Sequence, residues 1–301
     1  MVGTPPVRRR LLGSALRGYR EGLGYNLDEA ARILECDRSK ISRIETGQRG
    51  IRPKELRELL TEYGVPAAEQ EALLAVAHRG REDGWWLDYR DVLSAGAQDY
   101  VIMELAAAEI LTFEPNQVPD LLQTPEYAGA LADADANATG DDQREHAIEV
   151  KLARQRIVLG ARSPRLEVVI AEGALRQAVG GPRVMRAQLG WLAAVADAGR
   201  VTGPPDGGGS ASGGSAGVSL QVLPFAVGAH AAAGCGPLTI LRFARNQGIG
   251  VVHLAGLSGG VSLGEPTEVG RYLRTFAQLR SAALTPGASA RLLRAIARGE
   301  R

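Results

Sequence analysis

A chain of 301 residues and 31.8 kDa is too long for one small module and long enough for two domains that each bury a core. Its 45% hydrophobic and 23% charged residues exclude a fibrous or wholly disordered chain. The formal charge of +1 hides an asymmetry, because residues 1–64 carry 13 Lys and Arg against 9 Asp and Glu while the remainder carries 22 against 25; a basic segment on a near-neutral body is the pattern of a nucleic-acid-reading head joined to a second unit.

Residues 7–19 place Leu11, Leu12, Ala15, Leu16 and Tyr19 on one helical face, and the glycines at 22 and 24 end that helix. Asn26 and Glu29 have the spacing of a capping box for a second helix reaching about Leu34. Asp37 caps a third helix through Thr46, which the left-handed residue Gly47 stops. Pro53 suits the first turn of a fourth helix ending near Gly64, and Pro66 that of a fifth through His78. The prediction for 1–80 is a five-helix bundle.

A second unit, 84–301, opens on WWLDY at 85–89. Helices are predicted over 99–113 and 142–159, separated by a proline-punctuated stretch at 114–127. Short β-branched runs at 166–171, 220–225, 238–243 and 250–254 read as strands, and helices follow at 173–198, 267–283 and 289–298. The Gly/Ser-rich run at 203–217 reads as a flexible insert. Strands and helices come in runs, which predicts an α+β unit with a mainly antiparallel sheet. Residues 207–241 carry no formal charge, but Pro224, Gly228, Gly234 and Pro237 break them, so no membrane span is expected. Cys36 and Cys235 have no metal-site spacing and the N-terminus has no signal-peptide pattern, so a cytoplasmic protein without metal or cofactor is predicted.

Residues 26–49, NLDEAARILECDRSKISRIETGQR, carry the sharpest functional signal. Ala30 suits the close contact of two motif helices, and Ile33, Leu34, Ile41 and Ile44 supply the inward stripe. This leaves Arg38, Ser39, Lys40, Ser42 and Arg43 on the second helix, with Arg38, Ser39 and Ser42 on its solvent side and Arg43 one position on. An arginine fork matches two acceptors on a guanine edge. Lys40, Arg49, Arg52 and the run Arg8-Arg9-Arg10 suit phosphates, which set register.

The segment resembles the helix-turn-helix of the Xre, phage-repressor-like, transcriptional regulators, and SKISRIETG is close to that family's recognition-helix wording. The resemblance implies a five-helix fold over 7–79 that binds operator DNA as a dimer. Leu27 departs from it, standing where many relatives carry a phosphate-contacting Gln. In the second unit EPNQVPDLLQTPEYAGAL at 114–131, LARQRI at 152–157, IAEGALRQAVGGPRVMRAQL at 170–189 and QVLPF at 221–225 resemble the domain of unknown function that follows an Xre head in many actinobacterial regulators. Asp120 stands where those relatives usually have Gly, and Ala171 where they have an acidic residue. That resemblance implies regulation of development and secondary metabolism, often beside a small partner protein.

Polar candidates in the second unit are Glu104, Glu109, Gln123, Tyr127, Arg154, Gln155, Glu172 and Arg176. In one reading Arg154 pairs with Glu172 while Gln123 and Tyr127 satisfy backbone at the proline turns. In the other, Arg154 and Arg176 face an anionic group of a ligand or partner, with Trp85 and Trp86 as an apolar wall or interface anchor. Gly256-x-Ser258-x-Gly260 fits a hydrolase pattern only formally, because a strand rather than a helix follows it. The expectation is therefore a non-enzymatic, sequence-specific regulator: a homodimer on double-stranded operator DNA, whose second domain senses a small molecule or a small protein. An adaptor without DNA binding and a pathway enzyme with a vestigial head remain the alternatives.

Overall fold

A computed structural model of the chain describes residues 7–77, 89, 93–134, 140–162, 164–201, 216–243, 250–256 and 260–300. Trp85, Trp86 and Ser258 lie outside the described residues, as does most of the predicted insert. The head consists of α1 (Val7–Gly22), α2 (Leu27–Ile33), α3 (Arg38–Glu45), α4 (Pro53–Glu62) and α5 (Ala67–Ala77). Local chemistry sets the boundaries. The Asn26 side chain accepts from the Asp28 and Glu29 amides while the Glu29 carboxylate accepts from the Asn26 amide, so two orphan donors of α2 and one before it are met. Asp37 accepts from the Lys40 amide at 2.9 Å to start α3, and Gly47 at φ +73° follows its end. Leu11, Leu12, Ala15 and Leu16 of α1 are buried with Ile41, Ile44, Leu56 and Leu59.

Beyond the head, α6 (Ala95–Ala106) leads into β1 (Glu109–Glu114), and α7 (Pro125–Asp133) and α8 (Asp141–Arg156) carry the chain to β2 (Arg165–Ala171). Then α9 (Glu172–Arg176), α10 (Gly181–Ala198), β3 (Arg200–Val201), β4 (Ala216–Leu223), β5 (Leu238–Arg242), β6 (Gly250–Leu254), β7 (Val261–Leu263), α11 (Pro266–Ala282) and α12 (Pro286–Ala297) complete the described α-helices and strands. One seven-stranded sheet runs in the order β3-β4-β2-β1-β5-β6-β7. It is mixed: the central strands β4, β2 and β1 are parallel and the remaining pairings antiparallel. The parallel centre follows from the helices between β1, β2 and β4, since parallel neighbours require a long crossover.

Pleating sorts β1 between two layers. Leu111 and Phe113 face α11 through Val269, Phe276 and Leu279, whereas Ile110 joins the core shared with α6, α10 and α12. That second core is continuous with the interior of the head through Leu73, Leu74 and Val76 of α5. Beyond the short β3, the Leu284 amide donates to the Val222 carbonyl and the Val222 amide to Ser289 Oγ, both at 2.9 Å, which closes the edge of β4.

Four expectations need correction. The helix expected over 99–113 stops at Ala106, and Glu109–Glu114 is the strand at the middle of the sheet. A short apolar run fits both periods, and pairing to β2 and β5 on either side decides it. The helix expected over 173–198 is two, divided by Gly180 and Gly181 at φ +65° and +81°. The proline-punctuated stretch runs into α7, because Thr124 caps it and Pro125 fits its first turn. The last two residues of the expected insert, Ala216 and Gly217, belong to β4.

Candidate functional site

The head presents α3 by two devices on α1. At Gly13 an added β-carbon would meet the carbonyl oxygens of Ile44 and Glu45, 2.5 Å from the latter, so only glycine lets α1 cross this close to the end of α3. About two turns later Arg20 grips Glu45 with both prongs, Nε to Oε1 at 2.7 Å and Nη2 to Oε2 at 2.8 Å, and donates to the Tyr25 carbonyl at 2.6 Å. Both side chains are buried, so the pair is shielded from salt. Neither residue was singled out from the sequence, although a lone Gly inside an apolar helical run marks a close approach.

With Ile41 and Ile44 buried, α3 turns the other side outward. The Arg38 side chain is 67% exposed with Asp28 at 3.9 Å. Arg43 lies along the helix, donating to Ser39 Oγ at 3.1 Å, and Ser39 Oγ donates to the Asp37 carboxylate. Ser42 is half-buried, and its carbonyl accepts from the Thr46 hydroxyl at 2.9 Å. The Arg49 amide donates to the Arg43 carbonyl at 2.9 Å, which brings its exposed side chain to the end of α3. Arg9 is exposed beside the same loop, its Nε 3.6 Å from where a Gly50 β-carbon would stand. Lys40 differs from its expected role: it is 16% exposed and pairs with Glu55 of α4 at 2.8 Å, so its charge is met inside the head.

A second polar centre lies between α6, α8 and one face of the sheet, around a cavity of about 260 Å³. The register places Thr112, Thr239, His253 and Ser262 in one row across β1, β5, β6 and β7. Thr112 and Thr239 hydroxyls are 3.1 Å apart, and His253 Nδ1 is 3.0 Å from Ser262 Oγ. From α6, Tyr100 stacks against the His253 ring at 4.3 Å and donates to Glu104 at 2.9 Å. From α8, Arg154 reaches Glu104 with two hydrogen bonds of 2.8 Å and Asp120 with one of 3.1 Å, its guanidinium 5.4 Å from the Tyr100 centroid. Lys151 adds a contact to Asp120 at 3.4 Å. Burial opposes ionisation of Asp120, but Lys151 and Arg154 outweigh it and bring its pKa to about 2. Glu114 has no such partner: burial, then the charge of Asp120, push its carboxyl up to about 8 against Lys151. Its Oε2 is buried and accepts no hydrogen bond.

This arrangement separates residues that were expected together. Arg154 pairs with Glu104 and Asp120 rather than Glu172, because Glu172 on α9 holds Arg176 at 2.7 Å and accepts from the Phe225 amide at 2.9 Å. Arg154 and Arg176 line different cavities, so they do not share an anion. Gln123 donates to the Val118 carbonyl at 2.8 Å, and the Val118 amide donates to the Tyr127 hydroxyl at 3.2 Å. Gln155 donates to the carbonyls of Asp120 and Gln123, which ties α8 to the same turn. Glu109 pairs with Arg242 at 2.5 Å. Tyr100, Thr112, Glu114 and Thr239 were missed, Thr112 because 109–113 was read as helix and Glu114 because it opened the proline-punctuated stretch. Among the described residues no group of His, Cys, Asp and Glu forms a metal site, and no helix is long and apolar enough to cross a membrane.

Comparison with known families gives two matches. Residues 11–73 match a helix-turn-helix domain, and residues 97–202 and 212–295 match a domain of unknown function, DUF5753. No curated protein and no solved structure gives a significant match.

Proposed function

We propose that this chain, which belongs to the family defined by the domain of unknown function DUF5753 and carries a helix-turn-helix domain ahead of it, is a sequence-specific transcriptional regulator whose C-terminal domain senses an effector. The observation that carries the DNA-reading half is the outward face of α3. Arg38, Ser39 and Arg43 are exposed there on a helix held at both its inner face and its C-terminal end. A groove-inserted helix of this kind reads base edges with such side chains, while Arg9 and Arg49 at its flank take phosphates. Two heads spaced about one DNA turn, roughly 34 Å, would combine their contacts, which is the ground for a homodimer on a near-palindromic operator.

The sensing half is supported by α6, which belongs to both regions. Asp99 of α6 pairs with Arg8 of α1 at 2.7 Å, while its neighbour Tyr100 and Glu104 one turn on line the cavity. An effector that favours one position of α6 therefore biases the setting of α1, and with it α3. Only an effector with different affinity for the two settings does so. The test is selection of bound DNA from random oligonucleotides with the full chain, followed by titration of the enriched site. An enriched motif with dyad symmetry is expected, and uniform recovery of all sequences would overturn the reading.

A further inference from the structure

The cavity beneath α6 has a chemical bias that its arginine conceals. All three polar contacts of Arg154 go to Glu104 and Asp120, and Lys151 adds to Asp120, so both cations of the cluster are matched by two carboxylates. Glu114 is the third carboxylate and has no cation. Its Oε2 is buried without a donor, which is costly unless something in the cavity supplies one.

The hydroxyls beside it face the same way chemically. Thr112 Oγ1 lies 3.3 Å from the Leu238 carbonyl and 3.1 Å from Thr239 Oγ1, and when its one hydrogen goes to the carbonyl, the only acceptor of the two without a hydrogen of its own, the Thr239 hydrogen serves the pair. In that arrangement both hydrogens are used, and both oxygens keep acceptor capacity only. Two hydroxyl oxygens accept there, and the Glu114 carboxyl, which burial keeps protonated up to about pH 8, becomes a third acceptor with a full negative charge once a cation takes the place of its proton, so this wall of the cavity suits a ligand that donates several hydrogen bonds and carries one positive charge. The charge of Arg154 is already matched by Glu104 and Asp120, so an anion finds no unmatched cation there.

We propose that this cavity binds a small organic monocation, a protonated primary amine whose N–H groups meet Glu114 and the Thr112–Thr239 pair. About 260 Å³ lies just under the usual range of ligand pockets, roughly 300–1,000 Å³, so the amine is compact. The proposal rests on the reading of the C-terminal domain as a sensor.

The experiment compares butylammonium, 1-butanol and butyrate as probes of the full-length protein, by calorimetric titration and by Tm. Butylammonium is expected to bind at least about tenfold more tightly than butanol and to raise Tm, with butyrate giving no shift. Glu114→Gln should erase that preference, and Thr239→Val should reduce it, so the result does not hang on one variant. Equal binding of the three probes, tighter binding of butyrate, no binding of the amine, or a preference unchanged in Glu114→Gln would each overturn the proposal. Operator affinity measured in the same titrations separates the two readings. An amine that binds without changing operator affinity sinks the sensor and leaves the amine site, whereas an anion that binds here and changes operator affinity does the reverse.

Discussion

Arg20 of α1 and Glu45 at the end of α3, 25 positions apart in the chain, form a two-pronged, buried ion pair of 2.7 and 2.8 Å that joins the two helices. Removing one partner strands the other charge out of water, whereas removing both does not. Arg20→Ala is expected to lower stability by about 3–5 kcal/mol. Arg20→Met with Glu45→Leu should recover most of that loss, as chemical denaturation of the two proteins would establish. Equal losses in both proteins would mean that packing around α1, and not the pair, sets the cost.

Gly13 acts on the same helix end by sterics. Gly13→Val forces a side chain onto the carbonyls of Ile44 and Glu45, so α3 must shift. Operator affinity should fall even in conditions where circular dichroism reports a fully folded head. Unchanged affinity in a folded Gly13→Val protein would show that α3 tolerates displacement.

Titration of Glu114 gives a signed prediction. Its pKa rises from 4.5 to about 8 on folding, so the folded state holds more protons than the unfolded one between those values and stability falls as pH rises through them. Asp120 and Lys151 act on it directly, and Arg154, Tyr100, Glu104 and His253 line the same cavity. Asp120 titrates below this window, and His253, whose pKa burial lowers, acts in the opposite sense below 6.5. The difference in Tm between wild type and Glu114→Gln therefore isolates Glu114, and wild type should lose ground to the variant from pH 5 to pH 8. A difference independent of pH would place the Glu114 carboxyl in water-like surroundings.

The pair Arg8–Asp99 provides a test of communication between the cavity and the head. Asp99→Asn leaves every described cavity side chain in place while removing the 2.7 Å ion pair to α1. An effector that shifts operator affinity in wild type should shift it less in Asp99→Asn, with its own affinity for the protein unchanged. The same shift in both proteins would route the coupling elsewhere.

The head is legible in sequence because its signals are local. Asn26 with Glu29, Asp37, Gly47 and Pro53 each act within one helical turn, and each stands at the predicted boundary. The polar centre of the second domain is assembled from afar. Arg154 meets Glu104 across 50 positions and Asp120 across 34, and Thr112 meets Thr239 across 127. No local pattern announces such partners. The error at β1 compounded this, since reading 109–113 as helix scattered Thr112 and Glu114, which pleating puts on one face. Asp120, first visible only as a departure from relatives, is the counter-ion of Arg154 and Lys151.

The central claim is that the exposed side of α3 reads DNA, and gel-shift titration of the selected operator tests it most directly. Arg38→Ala and Arg43→Ala should each cost about 1–3 kcal/mol and relax preference at one base pair. Arg9→Ala should weaken all sequences alike and reduce the salt slope by about one. Operator affinity and preference unchanged in the double variant Arg38→Ala, Arg43→Ala would contradict the account.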